Sequence, residues 1–198
     1  MLHAFSKITL LTLSAFLLIS AGGGGDKMYH VDNKEEQAAF QLLNKIRKNP
    51  AQFSKVYGVN LDTVKPALQL KWNDTLAKVA EARALDMAKR GYFDHVNPDG
   101  YAVNYFMNKA GYKLDKDWLT SKSANYFESL DAGSGTGVAA IENLIVDNGW
   151  PAANHRVALL SMSAFDKGNV DIGIGFVKCE NGCNFESYMS VIIARHHW

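Results

Sequence analysis

The sequence predicts an α+β fold in which helices cover a small antiparallel sheet. Helical patterns occupy most of the chain up to about residue 162, and an alternating, strand-like pattern begins only after Gly168. Helices and strands that are segregated along a chain are typical of α+β domains, whereas a parallel sheet would need the two to alternate. The composition, with 47% hydrophobic and 21% charged residues among 198, is that of one globular domain.

The first 32 residues are predicted to lie outside that domain. Residues 1–21 place Lys7 ahead of an apolar run that is typical of a secretory signal peptide and too short to cross a bilayer as a helix. Residues 22–32, which start with four glycines, are predicted to be a flexible linker, and residues 33–198 the single domain. No cysteine stands at the predicted cleavage point, so we expect a secreted or cell-surface protein without a lipid anchor and without a transmembrane span in the mature chain.

The charge balance argues against a nucleic-acid partner. The 21 lysine and arginine residues, of which Lys7 belongs to the predicted signal peptide, face 20 aspartate and glutamate residues. A mature chain with almost no net charge has no general field that would attract a polyanion.

Capping residues divide the first half of the domain into helices. The first helix is predicted to begin at Asn33, which has a glutamate three residues later as in a capping box. It ends shortly before Pro50, which starts a short helix that Gly58 ends. Asn73 then caps a longer, alanine-rich helix that ends at Gly91.

Shorter helices and a polar segment follow. A turn at Pro98-Asp99-Gly100 precedes a helix predicted over residues 101–110. Residues 112–137 are predicted to be irregular, and helical patterns return at residues 138–147 and 155–162.

The last part of the chain is predicted to be a β-hairpin stapled by a disulfide. Ile172, Ile174 and Phe176 alternate with small residues, and a second strand-like run ends the chain. Cys179 and Cys183 flank an Asn-Gly pair, which is a strong signal for a hairpin turn. An even cysteine count in an exported chain favours a disulfide, and a metal pair is the weaker alternative because two thiolates make an incomplete zinc site.

Two histidines at helix boundaries are the candidate functional residues. His95 follows the long helix, and His155 stands near the start of a later one. Two imidazoles with a carboxylate between them would suit Zn²⁺ or another divalent cation. Each histidine also has an ordinary explanation, since His95 would be favoured near a helix C-terminus and His155 near a capped helix start.

Taken in order, these motifs resemble the CAP superfamily of cysteine-rich secretory proteins, antigen 5 and pathogenesis-related 1 proteins, and the chain looks most like its bacterial secreted branch. The resemblance covers roughly residues 36 to 195. The motifs that carry it are Leu68-Gln69-Leu70-Lys71-Trp72-Asn73, Glu81-Ala82-Arg83-Ala84, Phe93-Asp94-His95, His155-Arg156 and Ile172-Gly173-Ile174-Gly175-Phe176.

The resemblance implies an α-β-α sandwich with a central cleft that two histidines and two acidic residues line. By motif match the histidines are His95 and His155, and the first acidic position falls on Glu128. The second falls on Asp147 or Glu142, which precede the second histidine on a predicted helix.

Three functions are compatible with such a cleft. The leading hypothesis is a binding module for an extracellular ligand, namely a lipid, a cell-wall component or a protein, with or without a divalent metal. The first alternative is a metal-dependent hydrolase of the peptidase type that uses His95, His155 and Glu128 around a zinc-bound water. The second is a structural surface protein with a vestigial cleft. Enzymatic activity is the less favoured hypothesis, because no residue has an assured catalytic role.

Overall fold

The structure, a computed structural model, describes residues 28–149 and 152–196. The predicted signal peptide, residues 1–21, and the first part of the predicted linker lie outside the described residues.

A sheet of five strands forms the middle layer of the fold. Its strands are β1 (Met28–Val31), β2 (Lys71–Trp72), β3 (Glu128–Ala132), β4 (Asp171–Asn181) and β5 (Ser187–Ala194). The main order is β1-β4-β5-β3 with antiparallel neighbours, and the short β2 pairs in parallel with the beginning of β4. The strand β3 therefore lies at one edge of the sheet.

Helices cover both faces of this sheet, which confirms the predicted α-β-α sandwich. The α-helices are α1 (Asn33–Lys48), α2 (Ser54–Tyr57), α3 (Asp74–Arg90), α4 (Val103–Lys109), α5 (Gly137–Val146) and α6 (Asn154–Leu159), and short 3-10 turns lie at Pro50–Phe53, Lys116–Trp118 and Asp166–Gly168. Apolar side chains of α1, α5 and α6 pack together on one face of the sheet, and those of α3 and α4 pack on the other.

The side chains of β5 alternate between these two apolar layers. Met189, Val191 and Ile193 belong to the layer with α1 and α5. Tyr188 and Ile192 point to the α3 side. Every residue of β5 is buried, as expected for a strand that has helices on both faces.

Two glycines in β4 let α3 approach the sheet closely. A Cβ atom at Gly173 would overlap the backbone of Leu76 and Ala77, and one at Gly175 would overlap the backbone of Ala80 and Glu81. Glycines and large apolar residues thus alternate in β4. The glycines face α3, and the apolar residues fill the core on the other face of the sheet.

Most predicted helix boundaries are confirmed. The Asn73 side chain accepts hydrogen bonds from the N–H groups of Thr75 and Leu76, and Gly58 and Gly91 end their helices with positive φ angles of 66° and 69°.

The predicted cap of α1 is wrong by one residue. The side chain of Asp32, not Asn33, accepts from the N–H groups at the start of the helix. Glu36 does not close a capping box, because its Oε1 instead accepts a hydrogen bond from the N–H of Phe176 in β4.

Two segments that the sequence predicted to be irregular are strands. Residues 28–31, assigned to the flexible linker, form β1 and pair with β4, so the folded domain begins before residue 33. Residues 128–132, assigned to the irregular segment 112–137, form β3 and pair with β5. Both are short strands whose pairing depends on a partner far along the chain, which local periodicity does not reveal.

The predicted disulfide between Cys179 and Cys183 is confirmed. It connects the end of β4 to the turn rather than one strand to the other, and Gly182 supplies the positive φ of 75° that the turn requires. Within the part of the chain that the structure describes, no helix has the length and apolar character needed to cross a membrane.

Candidate functional site

The first candidate histidine contacts a carboxylate on the edge strand. His95 Nδ1 lies 3.1 Å from Glu128 Oε2, and the His95 side chain is 38% exposed whereas that of Glu128 is fully buried. The loop before His95 is shaped by Asp94, whose side chain accepts the N–H of Val96. Asn125 fixes the start of β3 by accepting the N–H of Glu128.

Four donors surround the carboxylate of Glu128. Arg83 in α3 donates to it through Nε at 3.1 Å and through Nη2 at 3.3 Å, and the hydroxyl of Ser190 in β5 donates at 2.9 Å. With His95, each carboxylate oxygen of Glu128 takes two donors. Glu128 therefore orients its neighbours in this arrangement, and its role as a metal ligand stays a prediction.

Arg83 also fixes the loop that carries His95. Its Nη2 donates to the backbone carbonyls of Asp94 and His95, each at 3.0 Å, and its Nη1 donates to the hydroxyl of Tyr92. Burial by itself would lower the pKa of the Arg83 guanidinium. The charge of Glu128 and the hydrogen bonds that Arg83 donates to it act in the opposite direction, and the pKa is raised. The guanidinium is therefore a permanently charged link between α3, the His95 loop and β3.

The second candidate histidine has its own buried carboxylate. His155 Nδ1 lies 2.8 Å from Asp147 Oδ1, and Asp147 Oδ2 accepts the N–H groups of His155 and Arg156 at 3.0 and 3.3 Å. Asp147 ends α5 in the left-handed region, with φ of 49°, and this bend turns its carboxylate toward the start of α6. Asp147 thus holds the ring of His155 and also satisfies the first N–H groups of α6.

Of the two candidates for the second acidic position, the structure places Asp147 beside His155. Glu142 lies elsewhere, next to Tyr57: burial, together with the charge and hydrogen bond of Glu142, raises the pKa of Tyr57 to about 12.

A third carboxylate near the histidines was missed by the sequence analysis. Burial raises the pKa of Asp131 in β3, while hydrogen bonds with Ser134 and Asn143 and the nearby His155 act to lower it. Asp131 and Glu128 lie on opposite faces of the same strand, one toward α5 and the other toward α3. Both histidines therefore approach β3, one from each helical layer.

The sequence contains only weak signals for Arg83 and Asp131, the two residues near the histidines that were not predicted to belong to the site. Arg83 stands among alanines on the buried face of α3, where an arginine needs a buried partner. Asp131 follows an apolar residue in a strand that local patterning did not identify. Neither position reveals its partner without the tertiary structure.

The described residues contain no group of three histidine, cysteine, aspartate or glutamate side chains placed to hold a metal ion. Of the predicted set, His95 pairs with Glu128, whereas His155 pairs with Asp147. In zinc sites, a ligating histidine commonly donates its other ring N–H to such a carboxylate, so both imidazoles are oriented as metal ligands would be. Binding of Zn²⁺ or another divalent cation stays a prediction.

Comparisons with known proteins agree with this architecture. A family model described as the cysteine-rich secretory protein family, CAP, matches residues 40–193. An extracellular protein of Bacillus anthracis that contains an SCP domain is similar in structure, with 21% identity, a TM-score of 0.53 and coverage of 83% of this chain and 41% of that one. An outer surface protein of Borrelia burgdorferi is similar as well, with 16% identity, a TM-score of 0.58 and coverage of 86% and 100%. The chain spans less than half of the Bacillus protein, and a comparison with curated proteins gives no match.

Proposed function

Because the chain belongs to the CAP family of cysteine-rich secretory proteins, we propose that it is an extracellular binding module whose ligand contacts the surface around His95 and His155. The ligand classes that we consider are a lipid, a cell-wall component and a protein. Two similar structures, one described as extracellular and the other as an outer surface protein, support an extracellular location.

The observation that carries this proposal is the pair of buried carboxylates behind the two imidazoles. Glu128 and Asp147 accept hydrogen bonds from the Nδ1 atoms, so those nitrogens carry a proton and the rings are fixed in orientation. Fixed, partly exposed rings lose little conformational entropy when a ligand binds, which favours a recognition role.

The donors around Glu128 argue against its role as a base in hydrolysis. A general base must approach a reacting water with an unoccupied lone pair. Glu128 already takes four donors, whereas Asp147 takes three and keeps one lone pair. Glu128 therefore suits an orienting role better than that of the base in the hydrolase alternative.

A divalent cation is the accessory ligand that we propose to test first. His95 and His155, which approach the edge strand β3 from the two helical layers, would bind it around that edge, and Glu128 and Asp147 would orient the rings from behind. The cation would supply a positive charge for an anionic group of the extracellular ligand.

The test uses the mature protein without a histidine tag, as wild type and as the variant His95→Ala/His155→Ala. We expect zinc measured by elemental analysis, and co-sedimentation with purified cell-wall fragments or lipid vesicles, to fall in the double variant. His30→Ala is the matched control, because His30 is exposed and lies outside the site. Equal binding by wild type and double variant would contradict the proposal, and metal-dependent peptide cleavage that the double variant loses would support the hydrolase alternative instead.

A further inference from the structure

A groove on the outer side of α3 forms a second surface that the two histidines do not line. From its shape and charges, we propose that it binds a polypeptide segment of a partner protein, in which an acidic side chain is followed by apolar ones and then by polar groups. This proposal goes beyond the proposed histidine cleft and does not depend on it.

The groove has the size and floor of a binding site. It lies between α3 and residues 97–110, and its volume is about 520 Å³, within the range of pockets that hold ligands. Val79, Ala82, Phe106 and Ala110 provide its apolar lining, and the two alanines leave room above the floor.

Two contacts define the direction of the groove. Asp99 meets Arg90 at the end of α3, at 2.6 Å, and the Phe106 ring lies 5.8 Å from the guanidinium of Arg83, two turns earlier. Residues 97–110 therefore run back along α3, and Lys109 at the end of α4 lines the groove together with Lys78.

The two ends differ in charge. At one end, Arg90 holds Asp99 through two hydrogen bonds and lies 3.6 Å from Asp86, and the charge of Lys122 also acts on Asp99, so two carboxylates face two cations. At the other end are Lys78 and Lys109. The two carboxylates that line the groove, Asp86 and Asp99, both contact Arg90. Glu81 interacts with Lys78 but lines a neighbouring cavity. The lysine end therefore attracts an anionic group.

The length of the groove and the charged residues at its Arg90 end favour a peptide over a lipid as the bound molecule. The twelve-residue separation of Lys78 and Arg90 along α3 corresponds to about 18 Å, which an extended peptide covers with about six residues. An alkyl chain anchored at the lysines would place its tail against the charged pair of Arg90 and Asp99. A peptide instead offers backbone and side-chain hydrogen bonds at that end.

The test uses two immobilised libraries of hexapeptides with acetylated and amidated ends. Each peptide has apolar residues at its centre and, at one end, a glutamate in the first library or a lysine in the second. Wild type should prefer the glutamate library by about tenfold at low salt, and the preference should weaken as salt rises. The variant Lys78→Glu/Lys109→Glu should reverse the preference, because it changes the sign of the charge at that end.

Two controls separate this site from others. Lys65→Glu/Lys167→Glu alters the lysines of a different cavity, and His95→Ala/His155→Ala alters the histidine site. Both variants should keep the wild-type preference. The proposal is overturned if neither library binds, if Lys78→Glu/Lys109→Glu leaves the preference unchanged, or if either control variant removes it. Binding of dodecanoate that only Lys78→Glu/Lys109→Glu removes, without binding of either library, would also overturn it and assign the groove to an anionic amphiphile.

Discussion

At the scale of single residues, the buried pair of Arg83 and Glu128 organises the candidate site. Their side chains are 2% and 0% exposed, and the pair connects α3, the His95 loop and two strands. If one partner is removed, the other is a buried charge with neither solvent nor an opposite charge to stabilise it. This lowers the free energy of unfolding far more than replacing both partners together does.

We therefore predict that Arg83→Met lowers the free energy of unfolding by about 3–5 kcal/mol. The double variant Arg83→Met/Glu128→Gln should recover a large part of this loss, because no buried charge then lacks a partner. Urea denaturation of the single and double variants measures the coupling. Additive losses would contradict the assignment of a buried, mutually dependent pair.

Glu36 is a second buried carboxyl group, and it makes stability depend on pH. Burial raises the pKa of Glu36 to about 7, against the effect of its hydrogen bond from Phe176, and the negative charges of Glu81 and Asp32 add to the rise. The unfolded chain ionises near its ordinary value of 4.5, before the folded chain does. The stability that Glu36 contributes is therefore complete below pH 4.5 and is lost as the pH rises toward 7.

We predict that Glu36→Gln makes the protein relatively more stable at pH 8 than at pH 5, compared with wild type. Glutamine still accepts the N–H of Phe176 but does not ionise. The measurement is the urea midpoint at both pH values, with the exposed Glu186→Gln as a control for the change in charge. A pH dependence that is the same in Glu36→Gln and wild type would show that Glu36 ionises as an ordinary, solvated glutamate.

At the scale of secondary-structure elements, the contact between α3 and β4 depends on the absence of side chains. Gly173 and Gly175 face α3 at positions where a Cβ atom would overlap helix backbone. Backbone atoms cannot rotate aside as a flexible side chain can, so α3 would have to move away from the sheet. Arg83 belongs to the same helix, and such a movement would also disturb the site.

We predict that Gly175→Ala lowers the free energy of unfolding by more than about 3 kcal/mol. Gly111→Ala is the matched control: its φ is +89° and its Cβ would meet no atom within 4 Å, so only backbone strain of about 1–2 kcal/mol is expected. Thermal denaturation compares the two variants. A smaller effect at Gly175 than at Gly111 would mean that α3 does not pack as closely as described.

At the scale of the whole molecule, one sheet serves two apolar cores, and β1 protects its long strand β4. The register pairs Tyr29 with Cys179 and Val31 with Val177, and both β1 side chains pack against the core on the α3 side. An uncovered β4 would present unpaired backbone groups at the edge of the sheet.

We predict that a chain that begins at Asp32, and so keeps the cap of α1, is less stable by about 2–4 kcal/mol than one that begins at Met28. It should also associate more, because β4 is then an open edge. Urea denaturation and light scattering provide the measurements. Equal stability of the two chains would restore the interpretation of residues 28–31 as a linker.

Features that depend on neighbouring residues could be predicted from the sequence alone. Asn73 and Gly91 mark the ends of α3 because capping and positive φ are local requirements. The alternation in β4 and β5, and the short spacing of Cys179 and Cys183, likewise indicated the hairpin and its disulfide. The family resemblance also pointed to His95 and His155.

The way in which these histidines are held depends on contacts that exist only in the folded chain. Glu128 lies 33 positions from His95 and 45 from Arg83, and it takes donors from both as well as from β5. The partners of β1 and β3 are more distant still, since Met28 pairs with Asn181 and Glu128 pairs with Ile192. Contacts between distant residues produce no periodic pattern in the sequence, so the sequence does not show that Glu128 is the buried acceptor for both an imidazole and a guanidinium.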